Sequence, residues 1–215
     1  MGVTDWVDWH RQYDDPTSDL SRRRRSVQRA IRAWIAETGP GPRRVVSACS
    51  GDGRDLLEVL VDEPEAERFS VRLLEVDEDL AARAEELARV SGLAGVDVVR
   101  ADAGVTESYA GAVPADLVML CGVFGNLSDA DAQWTIESAR HLCAPGAHVV
   151  WTRGRFADRD AVEPTDRLRE WFAEAGFEEV SLDAPADTVY RVGAHRLVAP
   201  AEPLVLGRQL FTFVR

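Results

Sequence analysis

The 215-residue sequence predicts an α/β fold, a seven-stranded, mostly parallel sheet with helices on both faces and an antiparallel last strand. From Val45 onward short β-branched runs alternate with helical patterns, and such alternation implies a parallel sheet covered on both sides. The first run enters a turn of small residues, Cys49-Ser50-Gly51-Asp52-Gly53, from which a helix departs. No helical pattern separates the last two runs, Phe177–Leu182 and Arg208–Val214. They are predicted to pair as antiparallel neighbours, because a parallel pair needs a crossover.

The chain opens with an aromatic-rich segment, Trp6, Trp9, His10 and Tyr13, that runs into the turn Asp14-Asp15-Pro16-Thr17-Ser18-Asp19. A helix is predicted from Leu20 to Glu37, closed by Thr38-Gly39-Pro40-Gly41-Pro42. Its apolar stripe is Leu20, Val27, Ile31 and Trp34, and Arg23 and Arg24 fall inside it. A buried arginine needs an acceptor, so one of the two is expected to meet a carboxylate, while Arg22 and Arg25 are solvated. Further strands are predicted at Val71–Asp77, Val96–Arg100, Ala115–Cys121 and Ala147–Trp151, with helices at Arg54–Val61, Glu78–Val90, Ser128–Cys143 and Pro164–Ala175. The stretch Thr188–Leu197 has strand-like character but is longer than a hairpin loop requires, and it reads as an excursion between the last two strands. One domain is expected over 1–215, with an N-terminal helical cover over 1–39 and the sheet-bearing core over 43–215.

Within the turn, Gly51 and Gly53 permit positive φ and leave space where a Cβ would block a ligand. The N-terminus of the helix that follows favours an anionic partner, so the turn suits a nucleotide-like cofactor. The dinucleotide fingerprint GxGxxG wants a third small residue where Leu56 stands, which disfavours a dinucleotide.

The turn resembles motif I of the class I S-adenosylmethionine-dependent methyltransferases, with Ser47 at the family's usual acidic position, Cys49 at its first glycine, and Gly51 and Gly53 at the other two. The order of the following segments extends the resemblance from roughly Arg43 to the C-terminus. Glu75, twenty-two positions after Gly53, closes the second strand, where an acid accepts from ribose hydroxyls; Asp77 is the second candidate. Asp102 follows the third strand, where the family has an acid that accepts from the adenine amino group, and the Ala103 N–H would read an adenine ring nitrogen. The loop Gly122-Val123-Phe124-Gly125-Asn126-Leu127-Ser128-Asp129 is similar to the loop after strand four in small members of the family, and Asn126 is expected to donate its amide into the crevice.

The resemblance thus implies a Rossmann-like sheet and S-adenosyl-L-methionine as cofactor. The contacts it implies come from Tyr13, Arg23, Ser50, Gly51, Gly53, Glu75, Val76, Asp102, Ala103, Cys121, Gly122 and Asn126. The implied reaction is in-line methyl transfer to a small-molecule acceptor, in which alignment supplies much of the rate. If the acceptor must lose a proton, histidine suits neutral pH. His10 and His195 fall in segments that cover the open side of the crevice in the resembling family, which makes them the candidate bases; His141 and His148 read as helix-end and packing residues. A non-catalytic cofactor-binding protein and a nucleotide-cofactor oxidoreductase are the alternatives, the latter disfavoured by Leu56 and by the antiparallel ending.

A formal net charge of −12 argues against nucleic acid as partner. The loop also lacks the Asn-Pro-Pro-Tyr signature of many methyltransferases that act on exocyclic base amines. All 25 basic residues are arginine, a bias expected of a GC-rich bacterial coding sequence. No apolar run is long enough to span a bilayer and no secretory signal pattern opens the chain, so a cytoplasmic protein is expected. Cys49, Cys121 and Cys143 form an odd set without metal-ligand spacing, which predicts neither a metal site nor a disulfide.

Overall fold

The computed structural model describes residues 13, 15–154 and 164–214. Its strands are β1 (Arg43–Ala48), β2 (Phe69–Glu75), β3 (Val96–Arg100), β4 (Ala115–Leu120), β5 (Cys143–Gly154), β6 (Phe177–Asp183) and β7 (Tyr190–Leu197). They form one sheet in the order β3-β2-β1-β4-β5-β7-β6. The helices are α1 (Asp19–Glu37), α2 (Arg54–Val61), α3 (Glu78–Val90), α4 (Asp129–Ser138) and α5 (Pro164–Glu174).

Strand alternation divides the core into two layers. Val46, Leu74, Val118 and Trp151 face α4 and α5, packing with Ile136, Leu168 and Phe172. Their neighbours Val45, Leu73, Leu117 and Val150 face the other side, with Val27 and Ile31 of α1, Leu56 and Leu60 of α2, and Ala84 of α3. Helix starts follow capping chemistry: the side chains of Ser18, Asp77 and Ser128 accept from the N–H groups of Ser21, Leu80 and Asp131. Asp77 is therefore a helix cap. Among the described residues no helix is long and apolar enough to cross a membrane.

Two expectations about the chain path are corrected. The last strand is not Arg208–Val214 but the stretch read as an excursion, Tyr190–Leu197, which lies antiparallel between β5 and β6. That central place explains its near-complete burial, and it explains Gly193, where a Cβ would come within 2.3 Å of the Trp151 ring. Residues 208–214 have a strand's composition, but their hydrogen bonds go to loops. Leu210 N–H donates to Gly104 O (2.7 Å), Thr106 N–H to Arg208 O (3.0 Å) and Val214 N–H to Asn126 O (2.9 Å). The second correction concerns the helix predicted over Ser128–Cys143, whose α-helical part stops at Ser138. A single 3₁₀ turn, Ala139–His141, follows, and Cys143 already pairs with Ala115 at the start of β5. The extra residues at that end fall where the register shifts, between the pairings of Cys143 and His148, and include Gly146 at φ 75°, so the strand begins before its regular alternation does.

Candidate functional site

The sheet reverses its strand order between β1 and β4, and ligands in open α/β sheets bind outside the carboxyl ends of the strands at that point. A cavity of about 1050 Å³ lies there. Its floor is the turn from β1 to α2, in which Cys49, Gly51 and Gly53 adopt φ of 51°, 57° and 71°. Gly53 is demanded by packing as well as by φ, because a Cβ there would come within 2.7 Å of the Leu73 side chain. Gly51 N–H donates to Glu75 Oε2 (2.7 Å), which ties the turn to the end of β2. Glu75 Oε1 accepts from the N–H groups of Val76 and Asp77, both at 2.9 Å. The same buried carboxylate thus organises two loops.

All twelve residues predicted to contact a cofactor line this cavity, from Tyr13 and Arg23 to Gly122 and Asn126. Asp102 Oδ1 accepts from Gly104 N–H (2.7 Å), while Oδ2 meets no described hydrogen-bond donor. Asn126 lines the cavity, and its amide donates one hydrogen to Gly122 O (2.8 Å), which pins the loop that carries it. The Arg23 and Arg24 expectation divides between the two residues. Arg24 pairs with Glu58 (3.1 Å), whereas Arg23 lines the cavity and donates to Tyr13 Oη (2.6 Å). Arg25 is exposed, as expected, and Arg22 makes a surface ion pair with the exposed Asp187 at 2.9 Å. Burial, with the nearby Asp55 carboxylate, pushes the Tyr13 phenol well above its ordinary range, so it is a neutral hydroxyl at physiological pH.

Neither candidate base stands in the described site. His10 lies outside the described residues, as do Trp6, Trp9 and Asp14. His195 is 1% exposed in the middle of β7, paired with Val149 and Glu179, and does not line the cavity. Its Nδ1 accepts from Trp151 Nε1 (3.1 Å), and its ring stacks on Phe172 at 4.3 Å. It is a core residue because the segment that carries it is a central strand and not a loop. Burial lowers its pKa to about 4, against a smaller raising effect from Glu179. The unfolded chain takes up this proton near pH 6.5 and the folded protein resists it until about 4. The stabilisation is therefore complete above pH 6.5 and lost as pH falls toward 4, with a slope approaching about 1.4 kcal/mol per pH unit. Thermal melts between pH 7 and 5 should show that slope, reduced in His195→Gln to the part contributed by His148, which burial also lowers.

Sequence reasoning missed the C-terminal tail. Gln209, Phe211, Thr212 and Phe213 line the cavity beside Asp102 and Ala103, with Phe211 and Phe213 stacked at 5.5 Å. A Cβ on Gly104 would come within 2.5 Å of Phe211 O, so this glycine is where the tail crosses the β3 loop. The small pair Ala103-Gly104 after Asp102 was the available signal.

By sequence, no protein-family model and no curated protein matches the chain. Solved structures do. Magnesium protoporphyrin IX methyltransferase from Synechocystis PCC 6803, with SAM bound, is 15% identical over 91% of this chain and 92% of its own, with a TM-score of 0.68. The CurJ carbon methyltransferase is 14% identical over 91% of this chain and 59% of its own, with a TM-score of 0.71. The chain has the fold of the class I methyltransferases. That fold also serves other chemistry, since the [4+2]-cyclase SpnF is 17% identical over 81% of each chain, with a TM-score of 0.59.

Proposed function

We propose that this protein transfers a methyl group from S-adenosylmethionine to a small-molecule acceptor. The observation that carries the reading is the meeting, in one cavity, of the glycine turn after β1, an acid closing β2 and an acid following β3. The residues present fit this cofactor. The Ser50 hydroxyl oxygen is buried without a hydrogen-bond partner among the described residues, and Ser50 lines the cavity. A Cβ on Gly122 would meet nothing within 4 Å, so the backbone there is open to a ligand.

Glu75 keeps accepting capacity on Oε2 for ribose hydroxyls, and Asp102 Oδ2 is available to the adenine amino group. Gly51, Gly53, Val76, Ala103 and Cys121 complete the cradle, and Arg23 and Tyr13 close it from α1 and the segment before it. When bound, S-adenosylmethionine supplies an electrophilic methyl group. The work of the protein is then to hold donor and acceptor in line and to exclude water. No described histidine lines the cavity, and His10, in the proposed N-terminal cover, stays the candidate base for an acceptor that must lose a proton. The stacked Phe211 and Phe213 on the cavity wall favour a small, partly aromatic acceptor.

Calorimetric titration with S-adenosylmethionine, S-adenosylhomocysteine, NADH and NADPH tests the cofactor, and incubation with labelled donor and a metabolite extract tests the transfer. Binding of both adenosyl compounds, neither nicotinamide, and label in an extract component is the expected result. Tight nicotinamide binding would sink the reading. Adenosyl binding without transfer would favour the second reading, cofactor binding without methylation, which the likeness to a cyclase keeps in view.

A further inference from the structure

The C-terminal tail brings to the cavity an amide whose orientation its own hydrogen bonds decide. The residues on either side of Gln209 are tied to the loop after β3: Arg208 N–H donates to Thr106 Oγ1 (3.1 Å), and Leu210 N–H to Gly104 O (2.7 Å). From α4 the Trp134 indole donates to Gln209 O (2.9 Å), which fixes the backbone from outside. The side chain then crosses Gly104. Its Nε2 donates to Gly104 O (2.9 Å) and to Phe211 O (2.6 Å). Both partners are carbonyl oxygens, which only accept, so the group that faces them is the NH₂ and both of its hydrogens are committed. What Gln209 has left for the cavity it lines is Oε1, an acceptor that meets no described donor.

A second acceptor lies across the same glycine. A Cβ on Gly104 would come within 2.9 Å of Gln209 Nε2 and 3.0 Å of Asp102 Oδ1, so the missing side chain is what lets the amide and the carboxylate approach each other. Asp102 Oδ1 accepts from Gly104 N–H, which leaves Oδ2. The tail and the β3 loop thus each give this end of the cavity one open acceptor. A hydroxyl or a substituted amine brings one hydrogen to such a pair, whereas a primary amino group brings two on one nitrogen. We infer that Gln209 is a specificity-determining residue which, with Asp102, reads both hydrogens of the adenine amino group, so that the site takes the unsubstituted purine and rejects one carrying a methyl group on that nitrogen. A methyl group there leaves one acceptor facing carbon, and a site built to accept a hydrogen discriminates strongly against an analogue that lacks it. Gln209 is an addition to the single acid after β3 that the family resemblance supplies, because residues 208–214 carry none of the motifs on which that resemblance rests.

The inference rests on the adenosyl-cofactor reading, and two ligands keep the two apart: S-adenosylhomocysteine and its N6-methyl derivative, titrated calorimetrically against the full chain. The unmodified protein should bind the N6-methyl compound roughly ten- to a hundredfold more weakly. Gln209→Ala should weaken S-adenosylhomocysteine roughly two- to tenfold and leave the N6-methyl compound no weaker, since that ligand never made the second bond. The gap between the ligands narrows. Gln209→Leu, which keeps the side-chain volume without an acceptor, should narrow it by the same route and serves if the alanine variant folds poorly. A tail that has merely come loose weakens both ligands by one factor. Equal losses in the variants, or no loss in either, would overturn the role of Gln209, as would equal affinity of the unmodified protein for the two compounds. If the unmodified protein binds neither, the cofactor reading itself fails and takes this inference with it.

Discussion

Replacing Glu75 by glutamine is expected to weaken S-adenosylhomocysteine binding roughly ten- to a hundredfold and to lower thermal stability together. Both effects have one cause. The carboxylate accepts three backbone N–H groups, from Gly51, Val76 and Asp77, and an amide offers only one accepting oxygen in place of two. Whichever way the amide turns, an NH₂ group faces at least one N–H donor in a position that is 7% exposed. An unsatisfied buried donor costs about 1–3 kcal/mol. If the NH₂ faces Gly51, the glycine turn is released from the end of β2 and the ribose acceptor is lost in the same event. Melting curves and a calorimetric titration on the same preparation check the pair of effects. Lost affinity without lost stability would mean that Glu75 serves the ligand alone; unchanged affinity would remove it from the site.

The parts of the fold that the sequence made legible are those in which local pattern and tertiary role agree. β1 and β2 are apolar runs ending in Ala48 and Glu75, β4 runs directly into Cys121, and the turn after β1 has glycines where φ is positive at 51 and 53. The predicted cofactor contacts fall at or just after the carboxyl ends of β1 to β4 or on the cover side of the crevice, which is why they converge on one cavity. Cys49, the third residue with positive φ, was readable only through the family likeness, because nothing in its own chemistry favours that conformation.

The C-terminal half was legible in composition and misleading in place. Thr188–Leu197 and Arg208–Val214 have equal claims to be the last strand by residue type. What decides between them is long-range: Gly193 gives room to Trp151, and His195 accepts from the Trp151 indole, 44 positions earlier. A histidine in an apparent loop reads as available for chemistry, and the same histidine between two strands reads as core. Only the pairing of β5 with β7 distinguishes them. The Asn126 amide shows the same limit on a smaller scale. Its position at the mouth of the crevice was readable, but its bond to Gly122 O follows from a loop conformation that residue type does not determine.

Phe211→Ala is expected to produce the largest loss of stability among single changes in the tail, about 3–5 kcal/mol, together with weaker binding of adenosyl compounds. Phe211 is 4% exposed and packs in the layer formed with Phe124, Trp151 and Phe172, although the backbone around it belongs to no sheet. Truncation removes the ring's transfer free energy and leaves a cavity that the neighbouring chain can fill only by moving. That movement has a direction. Thr106 N–H, Gly104 O and Asn126 O all bond to residues 208–214, so a displaced tail loosens the β3 loop beside Asp102 and the β4 loop at Asn126 together. Phe213→Ala provides the contrast. Phe213 is only partly buried, so its loss should cost less stability while still removing one ring of the stacked pair that lines the cavity. Urea denaturation and S-adenosylhomocysteine titration of both variants separate the roles. Equal stability in Phe211→Ala and the unmodified protein would show that the tail is not part of the core, and the wall it gives the cavity would then have to be withdrawn.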